Sequence, residues 1–517
     1  MSAHTSVFAK KRSEANTTCP RESGPAGITA ASWSNPEQAR TALTKPGLSK
    51  ISFMTHSGNS LVAHIYRPSH FDSVNGPIWF VMHGIKRNAD YYVDAAAPVA
   101  ERYQALTIVI EFSRQYYPAS EDYTLGISSS GRAGSRAKRE GRYLKPDAYL
   151  YNEIERVFEA VRQVIGGNQH GYYLFGHSAG AQFTHRMLTF VPCARALNAI
   201  AANAGWYTMP IEDNRKKFDM PYSLRGSPAE SLNLKALLSA PLTLLLGTHD
   251  IKGPDEDRNV RNTPATMSQG INRMARGHHY FETGQSLARS LDTPFSWQLV
   301  LAPGAEHDVL QLIASAGYLM FASPKEPICS SSTAAEAGKL VFNEILLDPP
   351  NDTKSGDANR DGVFQPNEEQ FIEIVNASNI PVCLAGWTLE GKEQTGKHLF
   401  PLSQALAPGK ALIVFNGGIP TGDFGSSFVQ RATSANGLRL DSRGDILTLR
   451  DAKGQIAKQF SWGNCGGMTC STDYWNGNLQ LKSSLARWPD ADGPWRIHSE
   501  VTKIPMSPGF KNNGDHW

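Results

Sequence analysis

The sequence predicts an α/β domain, a mostly parallel sheet covered by helices on both faces, followed by an all-β sandwich. Three observations predict it. Between residues 49 and 325, compact apolar runs such as "PIWFVMHG" (77–84), "ALTIVIEF" (105–112) and "APLTLLLG" (240–247) alternate with segments of helical composition. Around "SPKEPICSSSTAAEAG" (323–338) the periodicity lapses into a polar, small-residue stretch that suits a linker. Beyond it, "KLVFNEILL", "QFIEIVN", "ALIVFNGG" and "DILTLRD" are short β-rich runs between Gly, Pro, Asn and Asp turns, almost without helical periodicity.

In chain order, residues 1–48 are rich in Ser, Thr, Ala and Pro without an apolar period and read as a disordered or loosely packed leader. The first twenty residues carry basic side chains but no apolar h-region, so no secretory signal is expected. No stretch approaches the roughly 20 apolar residues that span a bilayer. "KISFMTHSGNSLVAHIYRP" (50–68) predicts a hairpin, two β-rich runs joined by His-Ser-Gly-Asn. "ADYYVDAAAPVAERYQ" (89–104) has helical composition despite Pro98, and "YLYNEIERVFEAVRQVI" (149–165) is amphipathic, with Ile154, Val157, Phe158, Val161 and Ile165 three and four residues apart. The domains are thus expected at 49–325 and 339–517, joined by a linker at 326–338.

Composition narrows the function classes. Across 517 residues, 40% hydrophobic and 19% charged is a globular balance, and a formal net charge of +3 implies neither nucleic acid nor an anionic membrane as partner. Six cysteines (Cys19, Cys193, Cys329, Cys383, Cys465 and Cys470) are too few and scattered for a disulfide scaffold and form no paired CxxC. Cys465 and Cys470 read either as a bridge in an oxidising compartment or as free structural thiols.

Catalytic chemistry is legible in "YYLFGHSAGAQF" (172–183). Gly176-His177-Ser178-Ala179-Gly180 matches G-x-S-x-G between a predicted strand and a predicted helix, the setting in which a sharp turn projects the serine from the end of a sheet. "GISSSG" (126–131) misses the glycine spacing by one residue, lacks a leading strand and reads as a loop. A serine hydroxyl is a poor nucleophile without a base, a group that orients the base, and oxyanion donors. The base is expected late in the chain, in a loop after the last strand, and "SWQLVLAPGAEHDVLQL" (296–312) supplies His307; His278 and His279 are the rivals. The acid is expected after the preceding strand, where "PLTLLLGTHDIKGPDED" (241–257) supplies Asp250, with Asp255, Glu256 and Asp257 as substitutes. The backbone N–H groups of Ala179, opening the following helix, and of Ile85, after "PIWFVMHG", are the candidate oxyanion donors. Tyr116, Tyr117, Trp206 and Tyr207 lie where carboxyl-edge loops gather, either shaping a pocket or packing a core or lid. The basic stretch "GRAGSRAKREGRYLK" (131–145) reads as a solvated loop or as a feature favouring an acidic substrate.

With these residues in place, residues 49–325 resemble the α/β-hydrolase superfamily, through "HGIKRNADYY", "GHSAG", "GTHD" and "GAEHD". Their general look is similar to polyhydroxybutyrate depolymerases and to feruloyl or acetyl-xylan esterases among secreted carboxylesterases. The resemblance implies that Ser178 attacks an ester carbonyl, that His307 shuttles the proton, that Asp250 orients His307 and that water releases an acyl-enzyme, with no cofactor. An ester substrate, monomeric or polymeric, is the implied partner. A catalytically inactive binding or adhesion protein and a serine peptidase are the alternatives.

In the second domain, Asp357, Asn359, Asp361, Gly362 and Glu368 of "SGDANRDGVFQPNEEQF" fit the twelve-residue calcium-loop spacing, with the Val363 carbonyl as a further ligand. Flanking helices are not evident, so an acidic Asn/Gly turn between strands is the other reading of the same residues. Residues 339–517 resemble a lamin tail domain, an immunoglobulin-like sandwich found on bacterial extracellular enzymes, through "NEILLDPP", "EEQFIEIVNAS", "LAGWTLEG", "LAPGKALIVFNGG", "SLARWPDADGPW" and "SPGFKNNG". That resemblance implies an accessory role, tethering the enzyme to a surface, polymer or partner, and favours export.

Overall fold

The computed structural model describes residues 24–25, 27–128, 136, 140–211, 218–228, 234–322, 329–394, 396–403 and 405–517. Residues 1–23 and 26 of the expected leader, residues 326–328 of the expected linker, residues 129–131 of "GISSSG", and residues 131–135 and 137–139 of the basic stretch 131–145 lie outside the described residues.

The first half is built on a nine-stranded sheet. Its strands are β1 (Ser32–Trp33), β2 (Gly47–Met54), β3 (Ser60–Arg67), β4 (Ile78–Met82), β5 (Leu106–Glu111), β6 (Tyr172–His177), β7 (Ala196–Ala202), β8 (Leu242–Gly247) and β9 (Gln298–Ala302). They lie in the order β1-β2-β3-β5-β4-β6-β7-β8-β9. From β5 to β9 neighbouring strands run parallel. The β1-β2-β3 edge joins β5 antiparallel. The β2–β3 hairpin is the one the sequence predicts, with Met54 opposite Ser60 and the turn closed by the Thr55 N–H donating to Asn59 O at 2.9 Å. Every residue of β4 and β8 is buried, as a strand covered on both faces requires.

Helices Asn152–Ile165 and Ala179–Phe190 cover one face, whose core includes Phe80, Ile108, Leu174 and Phe183. Helices Ala89–Tyr103 and Val309–Phe321 cover the other, around Trp79, Val81, Phe175 and Leu245. Pro98 sits inside the first of these without ending it.

The leader expectation needs correction at its end. Residues 32–48 join the domain: β1 pairs with β2, and helix Pro36–Thr44 buries Ala39, Ala42 and Leu43. Asn35 caps that helix, accepting from the Gln38 N–H at 3.0 Å, with Pro36 in the first turn.

The second half packs two sheets face to face. One has the order β15 (Phe428–Arg431), β14 (Ala411–Phe415), β11 (Phe371–Asn376), β10 (Leu340–Leu346), β19 (Leu485–Arg487), β20 (Trp495–Ile497). The other runs β13 (Lys397–Leu399), β12 (Thr388–Glu390), β16 (Gly444–Arg450), β17 (Ile456–Gly463), β18 (Tyr474–Trp475). Phe342, Ile372, Ile374, Trp387, Leu447, Phe460 and Trp462 fill the space between them. Cys465 bridges Cys470, and Cys329 bridges Cys383 across 54 residues, a pairing the sequence did not reveal. The end of the expected linker is therefore stitched to the sandwich: the Trp387 indole donates to Ser332 O at 2.8 Å and the Ser332 N–H donates to Cys383 O at 3.0 Å.

Candidate active site

Ser178 stands between β6 and helix Ala179–Phe190 with φ 58° and ψ −113°. A non-glycine residue is held at such an angle only when its surroundings over-determine it. Here the Ser178 N–H donates to Ala202 O at 3.0 Å, and the helix lies tight against β4. A Cβ on Gly180 would come within 2.1 Å of Met82 O, and one on Gly176 within 2.2 Å of Gly180 O. The flanking glycines thus let the turn close while the hydroxyl projects from the end of the sheet.

The structure brings the three expected side chains into one row. The Ser178 O–H donates to His307 Nε2 at 3.0 Å, and His307 Nδ1–H donates to Asp250 Oδ2 at 2.8 Å. His307 lies in the loop between β9 and helix Val309–Phe321, with 24% of its side chain exposed; the Asp250 side chain is only 2% exposed. An imidazole open on one side to substrate and anchored on the other to a buried carboxylate is the arrangement of a general base whose tautomer is fixed.

Sequence reasoning missed the partner of that carboxylate. Arg273 Nη1–H donates to Asp250 Oδ1 at 3.0 Å and Nη2–H to Asp257 Oδ2 at 2.9 Å, with Arg273 buried. Asp257, an expected substitute for Asp250, instead completes the ion network behind it. Glu256 accepts from the Gly253 N–H at 3.2 Å and Asp255 is exposed. His278 and His279 ride on helix Arg273–Ser290. Asn203 was also missed: at φ 47°, it donates from Nδ2 to Glu306 O at 3.1 Å and accepts from the Gly247 N–H at 2.9 Å. One side chain thus fixes the loop that carries His307 and the strand end that leads to Asp250. No spacing motif marks either residue.

The loop that carries the candidate oxyanion donor Ile85 is organised by His83. The Phe112 N–H donates to its Nε2 at 3.1 Å, so the ring proton is on Nδ1, which donates to Gly84 O at 3.0 Å. The C=O and N–H of a peptide point in opposite directions, so holding Gly84 O back towards His83 turns the Ile85 N–H away from it. A Cβ on Gly84 would lie 3.9 Å from Ser178 Cβ, which sets this loop beside Ser178. Ala179 is the first residue of its helix, where the N–H has no intrahelical acceptor. Beside the nucleophile, His177 Nδ1 bonds the Tyr92 hydroxyl at 2.9 Å and its ring lies 4.7 Å from that of His307. Burial, with His307 and Arg273 nearby, pushes the His177 imidazole well below its ordinary range and keeps it neutral.

The expected pocket aromatics are mostly interior. Tyr207 is fully buried and stacked on Tyr280, and Tyr117 packs on Phe112. Trp206 packs with Arg186 and Arg261, whose guanidinium carbons lie 4.3 and 5.2 Å from its ring.

In the second domain several residues of the calcium spacing turn side-chain oxygens to backbone amides, while the buried Asp357 Oδ1 has no partner. Asp357 accepts from the Gly362 N–H, Asn359 from Asp361 and Asp361 from Val363, at 3.0, 3.0 and 2.8 Å; the other Asp361 oxygen accepts from the Ile419 N–H. Val363 is exposed, and the buried acid is Glu369, which takes the Asn359 and Gln365 N–H groups, rather than Glu368. These are the bonds of an acidic Asn/Gly turn. Among the described residues no three His, Cys, Asp or Glu side chains gather as a metal cage.

A lamin tail domain model matches residues 333–464. Among solved structures, the chain is similar to the poly(3-hydroxybutyrate) depolymerase LpqC of Bordetella parapertussis, at 33% identity and a TM-score of 0.50 over 56% of this chain and 94% of that one. It is also similar to poly(aspartic acid) hydrolase-1 of Sphingomonas sp. KT-1, at 36% identity and a TM-score of 0.48 over 53% of this chain and 98% of that one. No match is found among the curated proteins.

His83 gives the site a signature in pH. Burial, reinforced by the charge of Arg87, lowers its imidazole to about 3, whereas an unfolded-chain histidine titrates near about 6.5. The neutral ring therefore contributes its full stability above the unfolded value and loses it as pH falls towards the folded one. His83→Asn removes this dependence, so the stability difference between wild type and variant, read by urea unfolding, is expected to shrink by about 2 kcal/mol from pH 7 to pH 5. A difference that stays constant over that range would mean that the ring is not held neutral.

Proposed function

The chain belongs to the α/β-hydrolase superfamily of serine hydrolases and carries a C-terminal lamin tail domain, and on that footing we propose that it is a carboxylic ester hydrolase working through Ser178, His307 and Asp250. The observation that carries the reading is the unbroken row Ser178 Oγ–His307–Asp250, with bonds of 3.0 and 2.8 Å.

In this reading His307 Nε2 takes the hydroxyl proton as Ser178 Oγ attacks the ester carbonyl carbon. Asp250, itself steadied by Arg273, stabilises the imidazolium that forms. The carbonyl oxygen becomes an oxyanion facing the N–H groups of Ile85 and Ala179, each such donor contributing about 2.7 to 4 kcal/mol to the transition state. Collapse of the intermediate expels the alcohol, which receives the proton from His307. Water, deprotonated by the same nitrogen, then attacks the acyl-enzyme and frees the acid and Ser178. No cofactor enters any step.

A polymeric ester is the substrate class favoured by similarity to a depolymerase of 33% identity. The sandwich supplies no side chain to the row and is assigned an accessory role, tethering the enzyme to polymer, surface or partner. The disulfides Cys329–Cys383 and Cys465–Cys470, both among the described residues, support an oxidising compartment. Among the described residues no helix is long and apolar enough to cross a membrane.

Hydrolysis of a panel of short nitrophenyl esters and polyesters tests the reading. Wild type is expected to turn over esters, and Ser178→Ala to lose about 10⁴-fold or more in kcat. Equal rates in the two proteins would remove the esterase and leave a binding protein.

For the loop 357–368 the amide-bonded turn is the reading carried forward, with a structural calcium ion as the competing proposal. Chelation is expected to leave the melting temperature unchanged. A calcium-dependent rise abolished by Asp361→Ala would favour the ion.

A further inference from the structure

His307 depends on a six-residue loop, 303–308, that must bring its ring to 3.0 Å from Ser178 Oγ. The hydrolase domain holds this loop from within. The Gly304 N–H donates to Thr248 Oγ1 at 2.8 Å, the His249 N–H donates to Ala305 O at 2.9 Å, and Asn203 holds Glu306 O. The sandwich lies on the other side. At Gly304, φ 72°, an added Cβ would come within 2.9 Å of Leu399 Cδ1; at Gly386, one would come within 2.6 Å of Pro303 Cβ. Backbone from the two domains therefore meets at van der Waals contact over the stem of the histidine loop.

The contact continues along the helix that leaves the loop. Leu399 and Leu402 share one buried cluster with Val309, Leu310, Leu312 and Ile313, and the Leu402 N–H donates to Ser315 Oγ at 3.0 Å. A second anchor falls on helix Ala89–Tyr103, which follows the Gly84–Ile85 loop. Arg431 pairs with Asp94 at 3.0 Å, and Arg102 sits 5.2 Å over the Phe428 ring. The sandwich thus grips the two helices that emerge from the loop of the base and from the loop of the candidate oxyanion donor.

We propose that the C-terminal sandwich is a positioning element of the active site, with Leu399 and Leu402 acting through the loop 303–308 to hold His307 in register with Ser178. The inference rests on the triad reading above and goes beyond a tether. Reaction geometry tolerates little drift, a misplacement of about 1 Å being enough to cost about 10²-fold in rate. A loop held by hydrogen bonds on one side and by apolar contact at Pro303 and Gly304 on the other is restrained against such drift.

The test uses the full chain, measuring the second-order rate at which a fluorophosphonate phosphonylates Ser178, alongside kcat and KM on a short ester, with near-ultraviolet circular dichroism to verify folding. Leu399→Ala and Leu402→Ala are each expected to slow phosphonylation and lower kcat by about tenfold while KM stays within about twofold. Leu399→Val, the milder change, is expected to lose about threefold. Gly304→Ala, which strains a backbone at φ 72° and also drives a methyl into Leu399, is expected to lose more than either alanine variant. Adding Leu399→Ala to it should recover the share of the loss that comes from the Leu399 contact, so that the two changes are less than additive, a coupling that a merely destabilised domain would not produce. Folded Leu399→Ala and Leu402→Ala proteins reacting at the wild-type rate, or losses that simply add in the double variant, would overturn the proposal and leave the triad reading intact. A wild-type Ser178 that is never phosphonylated would overturn both.

Discussion

The chemistry assigned to this chain depends on one hydrogen bond between residues 129 apart in sequence, Ser178 Oγ to His307 Nε2. Neither partner could be moved far without losing it. The serine is fixed by a backbone angle that only its neighbours sustain, with Gly176 and Gly180 allowing helix, β6 and β4 to meet behind it. The histidine is fixed by a loop with no regular structure of its own, so its position is set by what the loop touches. Asn203 and Thr248 hold it on one side, and Pro303 and Gly304 meet the sandwich on the other. A rigid sheet presents Ser178, and packing delivers His307 to it.

Electrostatics around that bond follow the same economy of motion. Asp250 is removed from water, which would penalise its charge unless other groups compensate. Arg273 and His307 compensate together, one on each carboxylate oxygen, and Asp257 balances the far end of the guanidinium. The surrounding histidines are held neutral by burial. A charged His177 ring, 4.7 Å from His307, would oppose formation of the imidazolium, and a charged His83 could not accept the Phe112 N–H. Positive charge can therefore develop at His307 without competition from the rings beside it.

Much of this was legible because the elements concerned are local. Strand–turn–helix around Ser178, the hairpin at 50–68 and the chain order of serine, acid and histidine each lie within a few residues or follow the topology of a parallel sheet. What escaped depends on distant pairing. Arg273 carries no motif, and nothing in "NRMAR" says that its guanidinium will reach a carboxylate 23 residues earlier. Cys329 and Cys383 have no spacing that announces a bridge. Residues 32–48 look like a leader because the helix there buries only Ala39, Ala42 and Leu43, too small a stripe to show as periodicity, although Asn35-Pro36 is a readable helix start. The spacing from Asp357 to Glu368 serves a cation loop and an amide-bonded turn alike, so sequence alone could not choose between them.

The most direct test is the structure of the Ser178 adduct formed with a fluorophosphonate, a tetrahedral mimic of the attacked ester. The account predicts phosphorus on Ser178 Oγ, a phosphonyl oxygen about 2.7 to 3.1 Å from both the Ile85 and Ala179 N–H groups, and His307 still bonded to Asp250. Phosphorus on another residue, or an oxygen turned away from those two amides into solvent, would contradict it.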